Sequence, residues 1–460
     1  MLMSDFPYIC LAFCWELQIF RSRFLSLFLP FSRSIHYNQH PSISAAALIT
    51  TNFMTKPVPF TCTVKLALAC SASWLLLAPA AGIAGKIGPV EITPTLHLSA
   101  EYNSNINASA VDPLEDFILG ARLDFTGSLP VTRLNALDFS FGVGYRRYLR
   151  HRDRLDTGSV LVRIAPNLDF TFTIRISEYM RVVLSERLRL DRDPTDVLAV
   201  DAGGAVQLDI LQFNRIENTA AARYEWDINE RTQFHLTFAR MDLLPIDSAF
   251  DSVRRTVHSL DAMLARRLGS RLTAGLNAGA SWIDYRERFY NDGDSRRVGA
   301  FAELVATQRL TFNGGVSHIW HDFSQNGLIG DTSSPGGWQW NVGLRHTPTS
   351  KIAYSIDYAR TYAASYSANI ARIDSVTGAL TWTGFRKSDL RLTLRYDWGE
   401  DSGGRYAEKY RRWFAAAEMN FPTGPNSGLS LHYHFSDKWA RPVFRGYLQH
   451  RAGLTWFYRF

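Results

Sequence analysis

Along most of this chain hydrophobic and polar residues alternate one by one, the period-two pattern of a strand with one face in an apolar medium and the other in water. Ile92, Pro94, Leu96, Leu98, Ala100 and Tyr102 share a face whose opposite carries Thr93, Thr95, His97, Ser99 and Glu101. Leu272, Ala274, Leu276, Ala278, Ala280 and Trp282 do the same against Thr273, Gly275, Asn277, Gly279 and Ser281. Followed from end to end, the alternation predicts about 18 antiparallel strands (16–20), an even number as a barrel with both ends on one side requires. Expected boundaries include 157–172, 351–360, 388–398 and 429–436.

The connections alternate too. Tight turns at 229–231, 268–270 and 348–350 interleave with long segments rich in Asp, Asn, Gly and Ser at 104–115, 321–336 and 399–409. Short turns on one side of a membrane and long loops on the other produce that arrangement. Aromatic rings give an independent check, since they prefer the two membrane interfaces. Tyr102, Tyr145, Trp282, Trp320, Tyr358 and Trp398 fall where strands rise into long loops, while Trp226, Trp382, Phe421 and Trp456 fall where strands descend to tight turns. A soluble β-sandwich would need the alternation but not two belts of rings. The fold expected is therefore all-β, a transmembrane up-and-down barrel over residues 85–460. Thr195–Asn214 is the least regular stretch, with apolar runs on either side of Gly203-Gly204. It reads as an extra hairpin that would raise the strand count, or as an outer loop folded inward to narrow the lumen.

The final strand ends on Trp456, Tyr458 and Phe460, all on its apolar face. It resembles the tail by which outer-membrane barrels are recognised for assembly, which implies the barrel-assembly machinery, outer-membrane lipid and lipopolysaccharide as partners. Composition agrees with that setting. Cys10, Cys14, Cys62 and Cys70 leave everything after them free of thiols, as suits export through an oxidising compartment. With 46% hydrophobic residues and a mean hydropathy of −0.13, no segment after residue 84 approaches the ~20 apolar residues of a membrane helix. From Met54, a basic stretch with Lys56 and Lys65, the apolar run Leu66–Ala78 and small residues at Gly82-Ile83-Ala84 read as a signal peptide over 54–84, cleaved after Ala84. Residues 1–53 lack patterning of either kind and read as an upstream extension.

Charge narrows the function classes. Of the 50 basic and 43 acidic residues, five and two precede residue 85, leaving a net charge of +4. That is no excess for binding nucleic acid. Reading the lumen face at mid-strand gives Arg122, Arg163, Arg223, Arg395 and Arg451, with acids such as Asp124, Glu225, Asp397 and Glu418 placed nearer strand ends. Brought to one depth, these arginines would form a basic constriction favouring anions; paired with carboxylates of adjacent strands, they would only stiffen the wall. His432 and His434 share the lumen face as pore-lining imidazoles, without partners at a metal-ligand spacing. His318 and His321 flank Trp320 and read as interface residues. No nucleophile, base and orienting group recur together, so neither an enzyme nor a cofactor site is expected.

The opening strand and turn, Thr93-Pro94-Thr95-Leu96-His97-Leu98-Ser99-Ala100-Glu101-Tyr102-Asn103-Ser104-Asn105-Ile106, resembles that of the β-barrel porin type 2 family, several of whose members are encoded with exopolysaccharide export systems. The resemblance implies an outer-membrane channel, with a polysaccharide as its cargo. Two readings of function follow. One is a porin that exports an acidic exopolysaccharide or passes anionic solutes; the other is a structural or surface-interaction barrel with an occluded lumen.

Overall fold

The computed structural model describes residues 85–87, 89–151, 165–191, 199–200, 206–207, 213–246, 248–385 and 388–460. The proposed extension and signal peptide, and Arg163, lie outside them. Eighteen antiparallel strands close into one barrel. In chain order they are β1 Val90–Asn103, β2 Asp116–Pro130, β3 Ala136–Tyr148, β4 Asn167–Arg175, β5 Met180–Asp191, β6 Arg215–Asn229, β7 Thr232–Pro245, β8 Arg255–Arg267 and β9 Leu272–Tyr285. The ring continues with β10 Gly293–Thr307, β11 Leu310–Phe323, β12 Gly337–Thr349, β13 Ile352–Ala364, β14 Ile370–Phe385, β15 Ser388–Asp401, β16 Lys409–Pro422, β17 Ser427–Arg441 and β18 Tyr447–Arg459.

Each strand pairs with its sequence neighbours, and β18 returns to β1 from Thr95↔Arg459 to Asn103↔Arg451. Below that seam the stub Gly85–Ile87 folds back on Val90–Ile92, and the amide of Phe460 donates to the carbonyl of Pro94 at 3.0 Å, so the foot of β1 is paired as well. Following the register from strand to strand around the ring returns to β1 about 22 residues further along, which corresponds to strands tilted by roughly 40°.

That register decides which side chains meet lipid. Leu264, Leu276, Ala300, Val316 and Trp340 stand in one continuous outward row across β8–β12. Leu276 and Leu394 are 62% and 61% exposed, an arrangement that makes sense only against hydrocarbon. The belts are present. Tyr396 packs on Trp413 and Trp398 at centroid distances of 4.5 and 5.6 Å, Trp398 stacks with Tyr358 at 6.3 Å, and Tyr102 meets Phe117 at 5.0 Å near the long loops. At the turn end Trp456 stacks on Tyr458, which meets Phe460 edge to face.

Most strand boundaries fall where the alternation puts them, with a consistent departure at the loop end. β13, β15 and β17 extend to Ala364, Asp401 and Arg441, past the expected 360, 398 and 436. Above the upper ring belt both faces of a strand meet water or loops, so hydrogen bonding continues after the period-two signal has gone. The expected strand 157–172 is β4 at Asn167–Arg175, its predicted start lying outside the described residues. Within Thr195–Asn214, Ala199–Val200 pairs with Val206–Gln207 in a two-stranded ladder separate from the barrel sheet. The hairpin exists but adds nothing to the wall.

The lipid and lumen faces should respond oppositely to charge. Leu276→Arg and Leu394→Arg place a cation against hydrocarbon and should each cost roughly 2–4 kcal/mol in a folding titration into bilayers. Asn277→Arg and Thr393→Arg, one residue away on the lumen face, should leave stability and heat-modifiable gel mobility near those of the parent.

Candidate functional site in the barrel lumen

A ring of this many strands leaves an aqueous lumen unless something fills it, so the inward face is where function belongs. The four described arginines of the expected constriction all point there, and each has a carboxylate. Arg122 donates through Nε to Asp124 at 2.8 Å, and His97 Nε2 stands 3.4 Å from the same group. Arg223 bonds Glu225 at 2.8 Å, while Arg181 from β5 takes its other oxygen. Arg395 bonds Asp397 at 2.5 Å, and Arg412 from β16 holds the second oxygen at 2.8 Å. Arg451 makes two hydrogen bonds across the seam to Glu101, at 3.0 and 3.2 Å, and His432 lies 3.3 Å from that carboxylate.

One carboxylate therefore serves two bases in every case. Where both bases are guanidiniums, which stay protonated at any relevant pH, the cluster keeps a positive charge that pairing alone would have cancelled. The Arg181–Glu225–Arg223 cluster carries this charge into the lumen, its two arginines being half exposed. The Arg395–Asp397–Arg412 cluster buries it in the wall, below a second shared carboxylate: Glu408 meets Lys438 at 2.5 Å and Arg445 at 3.5 Å.

The acids are thus beside the arginines rather than displaced toward strand ends, and three of the four partners lie on the same strand instead of the next. The legible signal was Arg-x-acid. Residues two apart on a strand share a face, and Arg122–Asp124, Arg223–Glu225 and Arg395–Asp397 all have that spacing, as do Arg215–Glu217 and Arg240–Asp242. Neighbouring strands make room with glycine. A side chain at Gly142 would collide with Asp124, and one at Gly453 with His432. His432 and His434 do share the lumen, their rings 5.7 Å apart. His318 lies outward between Trp320 and Trp338, as expected of an interface residue, but His321 is turned inward and buried, bonded to Ser295 at 2.7 Å. Adjacent positions on a strand cannot share a face.

The outer rim has a structure that no strand pattern revealed. Phe213, Leu243, Val253, Tyr290 and Ile329 form a buried apolar core contributed by several loops and the inward tops of strands, with Phe250, Tyr285, Phe289 and Tyr366 packed against it. Asp331 ties these loops together. Its carboxylate accepts from the Asn369 amide at 2.9 Å, the Ser333 amide at 2.9 Å and the Ser402 hydroxyl at 2.5 Å, while its carbonyl accepts from Asn291 at 2.7 Å. Gly404 passes over it with φ +87, a conformation that other residues rarely adopt. Between β5 and β6, Val206–Gln207 lies against β13 on the far wall. Of the two readings of Thr195–Asn214, this position fits the inward loop.

Neither a protein-family model nor a curated protein matches the chain. Among solved structures it is similar to the outer membrane protein OpdK from Pseudomonas aeruginosa, at 11% identity over 80% of this chain and 98% of that one, with a TM-score of 0.47. It is also similar to OccAB3 from Acinetobacter baumannii (12% identity, 81% and 100% covered, TM-score 0.48) and to a BenF-like porin from Pseudomonas fluorescens (10%, 80% and 99%, 0.48). Likeness at this level says nothing about what passes through the present barrel. The resemblance to the β-barrel porin type 2 family rests on residues 93–106 alone.

The loop clamp is open to direct test. Burial would raise the Asp331 carboxyl, but hydrogen bonds from Ser333, Ser402 and Asn369 outweigh it and hold the group below its usual range. A depressed value means that the clamp is fully present above the ordinary aspartate pKa of about 3.9 and fails only as pH falls through the lower one. Trypsin cleavage at Arg288 and Arg405 in the outer loops, relative to cleavage of an unstructured peptide under the same conditions, should therefore be constant from pH 8 down to the lowest pH at which the protease works. Asp331→Ala should accelerate it about 5- to 150-fold, the equivalent of about 1–3 kcal/mol for donors left unpaired.

Proposed function

We propose that the chain is an outer-membrane channel whose lumen favours anionic solutes. The observation that carries this reading is the sharing of each carboxylate between two bases: the Arg181–Glu225–Arg223 cluster leaves a half-exposed positive charge on the wall of a barrel wide enough to hold water. Closure together with the apolar outward band supports a location in the outer membrane, because the hydrocarbon tolerates sheets only where they have no free edge. Delivery would use the segment 54–84 as signal peptide and Trp456, Tyr458 and Phe460 as the assembly tail. Export of an acidic exopolysaccharide is the narrower form of the proposal. Guanidinium groups suit successive carboxylates, but beyond that chemistry it rests on the short resemblance at residues 93–106.

One observation favours a different reading. A ladder reaching the opposite wall, and loops packed into an apolar core at the rim, are what an occluded barrel with a binding surface would also have. Conductance separates the two. Reconstituted in planar bilayers, the protein should open in discrete steps, and replacing Arg181 and Arg223 together by Gln should move the reversal potential toward cations while Glu225→Gln moves it toward anions. Absence of conductance would favour the occluded barrel; conductance indifferent to all three substitutions would remove the charged cluster from the account.

A further inference from the structure

Glu186 stands on the wrong face. In β5 the outward side chains are Val182, Leu184, Glu186, Leu188 and Leu190, while Arg181, Arg187 and Arg189 point into the lumen, where Arg187 meets Asp169 at 2.7 Å. Two apolar positions separate Glu186 from the outer loops and two from the turn below. Its register partners on β4 and β6 are Phe170 and Ala220. The carboxylate is exposed; the Asn218 amide donates to it at a long 3.4 Å, and no cation pairs with it among the described residues. Asn218, also outward, has a buried carbonyl oxygen with no partner.

The barrel treats another outward acid, Asp374, in the opposite way. Asp374 is 1% exposed and accepts from Arg360 at 2.8 and 3.1 Å and from Tyr358 at 2.9 Å, with Arg360 laid over the Trp340 ring. Buried under rings, that pair is complete within the chain. Glu186 is not, and acyl chains offer it no donor. The same outward row supplies one at a short distance: Glu186 faces Ala220, and Ala220 faces Arg240 on β7. Arg240 donates through Nε and Nη2 to Asp242, at 3.0 and 3.1 Å, and its guanidinium remains exposed, with Nη1 open to a further acceptor.

We propose that this wall, the outward face of β5–β7, docks against a second copy of the chain about a two-fold axis normal to the membrane and passing near Ala220. Such an axis keeps every residue at its own depth and sets Glu186 of each protomer beside Arg240 of the other; at this strand tilt the two lie about 6 Å apart in depth, a span their long side chains cover, so one patch satisfies itself twice. Ala220 and Ala222 at the centre are small enough for the two walls to approach closely. The row is self-complementary in charge, which selects another copy over lipid, and its depth between leucines selects it over a headgroup. This inference does not depend on what the lumen conducts.

The test uses the whole protein with Cys10, Cys14, Cys62 and Cys70 replaced by serine. Ala220→Cys, oxidised in native membranes, should give a disulfide-linked dimer, whereas Ala452→Cys, outward on β18, should not. Native mass measurement in mild detergent should find two chains for the parent and one for Glu186→Arg. Since that variant places an arginine on the outer wall, Glu186→Leu serves beside it: it should fold at least as well and shift the population at least tenfold toward monomer. A monomeric parent, or an Ala220→Cys chain that cross-links no more than Ala452→Cys, would overturn the proposal.

Discussion

Everything in this molecule depends on the hydrogen-bonded seam between β1 and β18. A sheet that stopped at either strand would leave a row of backbone donors and acceptors facing hydrocarbon, each costing several kcal/mol. The nine paired positions from Thr95 to Asn103 remove that edge, and the folded-back stub and the Phe460 amide pair the part of β1 that β18 does not reach. Closure also fixes the register around the ring. Because side chains alternate, a slip of one residue at the seam would exchange the two faces of a strand.

With the register set, chemistry separates by side. Mid-strand outward positions are mostly apolar and banded by rings, and two exceptions contrast: Asp374 is sealed beneath its own arginine and tyrosine, while Glu186 has only a long contact to the Asn218 amide. Inward positions carry paired charge. An isolated arginine on the wall would be free to bind whatever anion arrived, whereas one held by a carboxylate has a fixed direction. Sharing that carboxylate with a second base preserves orientation and charge together. The cost is space, which Gly142 and Gly453 provide on the adjoining strands.

The membrane part of the fold was legible because hydrocarbon enforces a strict alternation. Leu276 and Leu394, the turns at 229–231 and 268–270, and the belts at Trp282 and Trp320 could all be placed from residue type and spacing. Legibility failed where that constraint ends. Above the upper belt β13, β15 and β17 continue with no preference between faces, and the apolar core around Tyr290 and Ile329 is assembled from loops far apart in sequence. Asp331 shows locally only its turn to Ser333, since its other partners come from three distant segments. The paired arginines were half visible: alternation puts them on the face opposite the lipid-facing row, but the acids two residues away were assigned to different depths. Strand geometry already placed each such pair on one face.

The seam register is the claim on which the rest stands, and a pair of cysteines measures it. Ala100 and Leu454 are opposed across β1 and β18. With the native cysteines replaced, Ala100→Cys combined with Leu454→Cys should form an intramolecular disulfide in the folded barrel, seen as a reducible mobility shift of the denatured chain. The pair Glu101→Cys and Leu454→Cys, one residue out of register and on opposite faces, should not. Equal cross-linking of both pairs, or of neither, would contradict the closed barrel in this register.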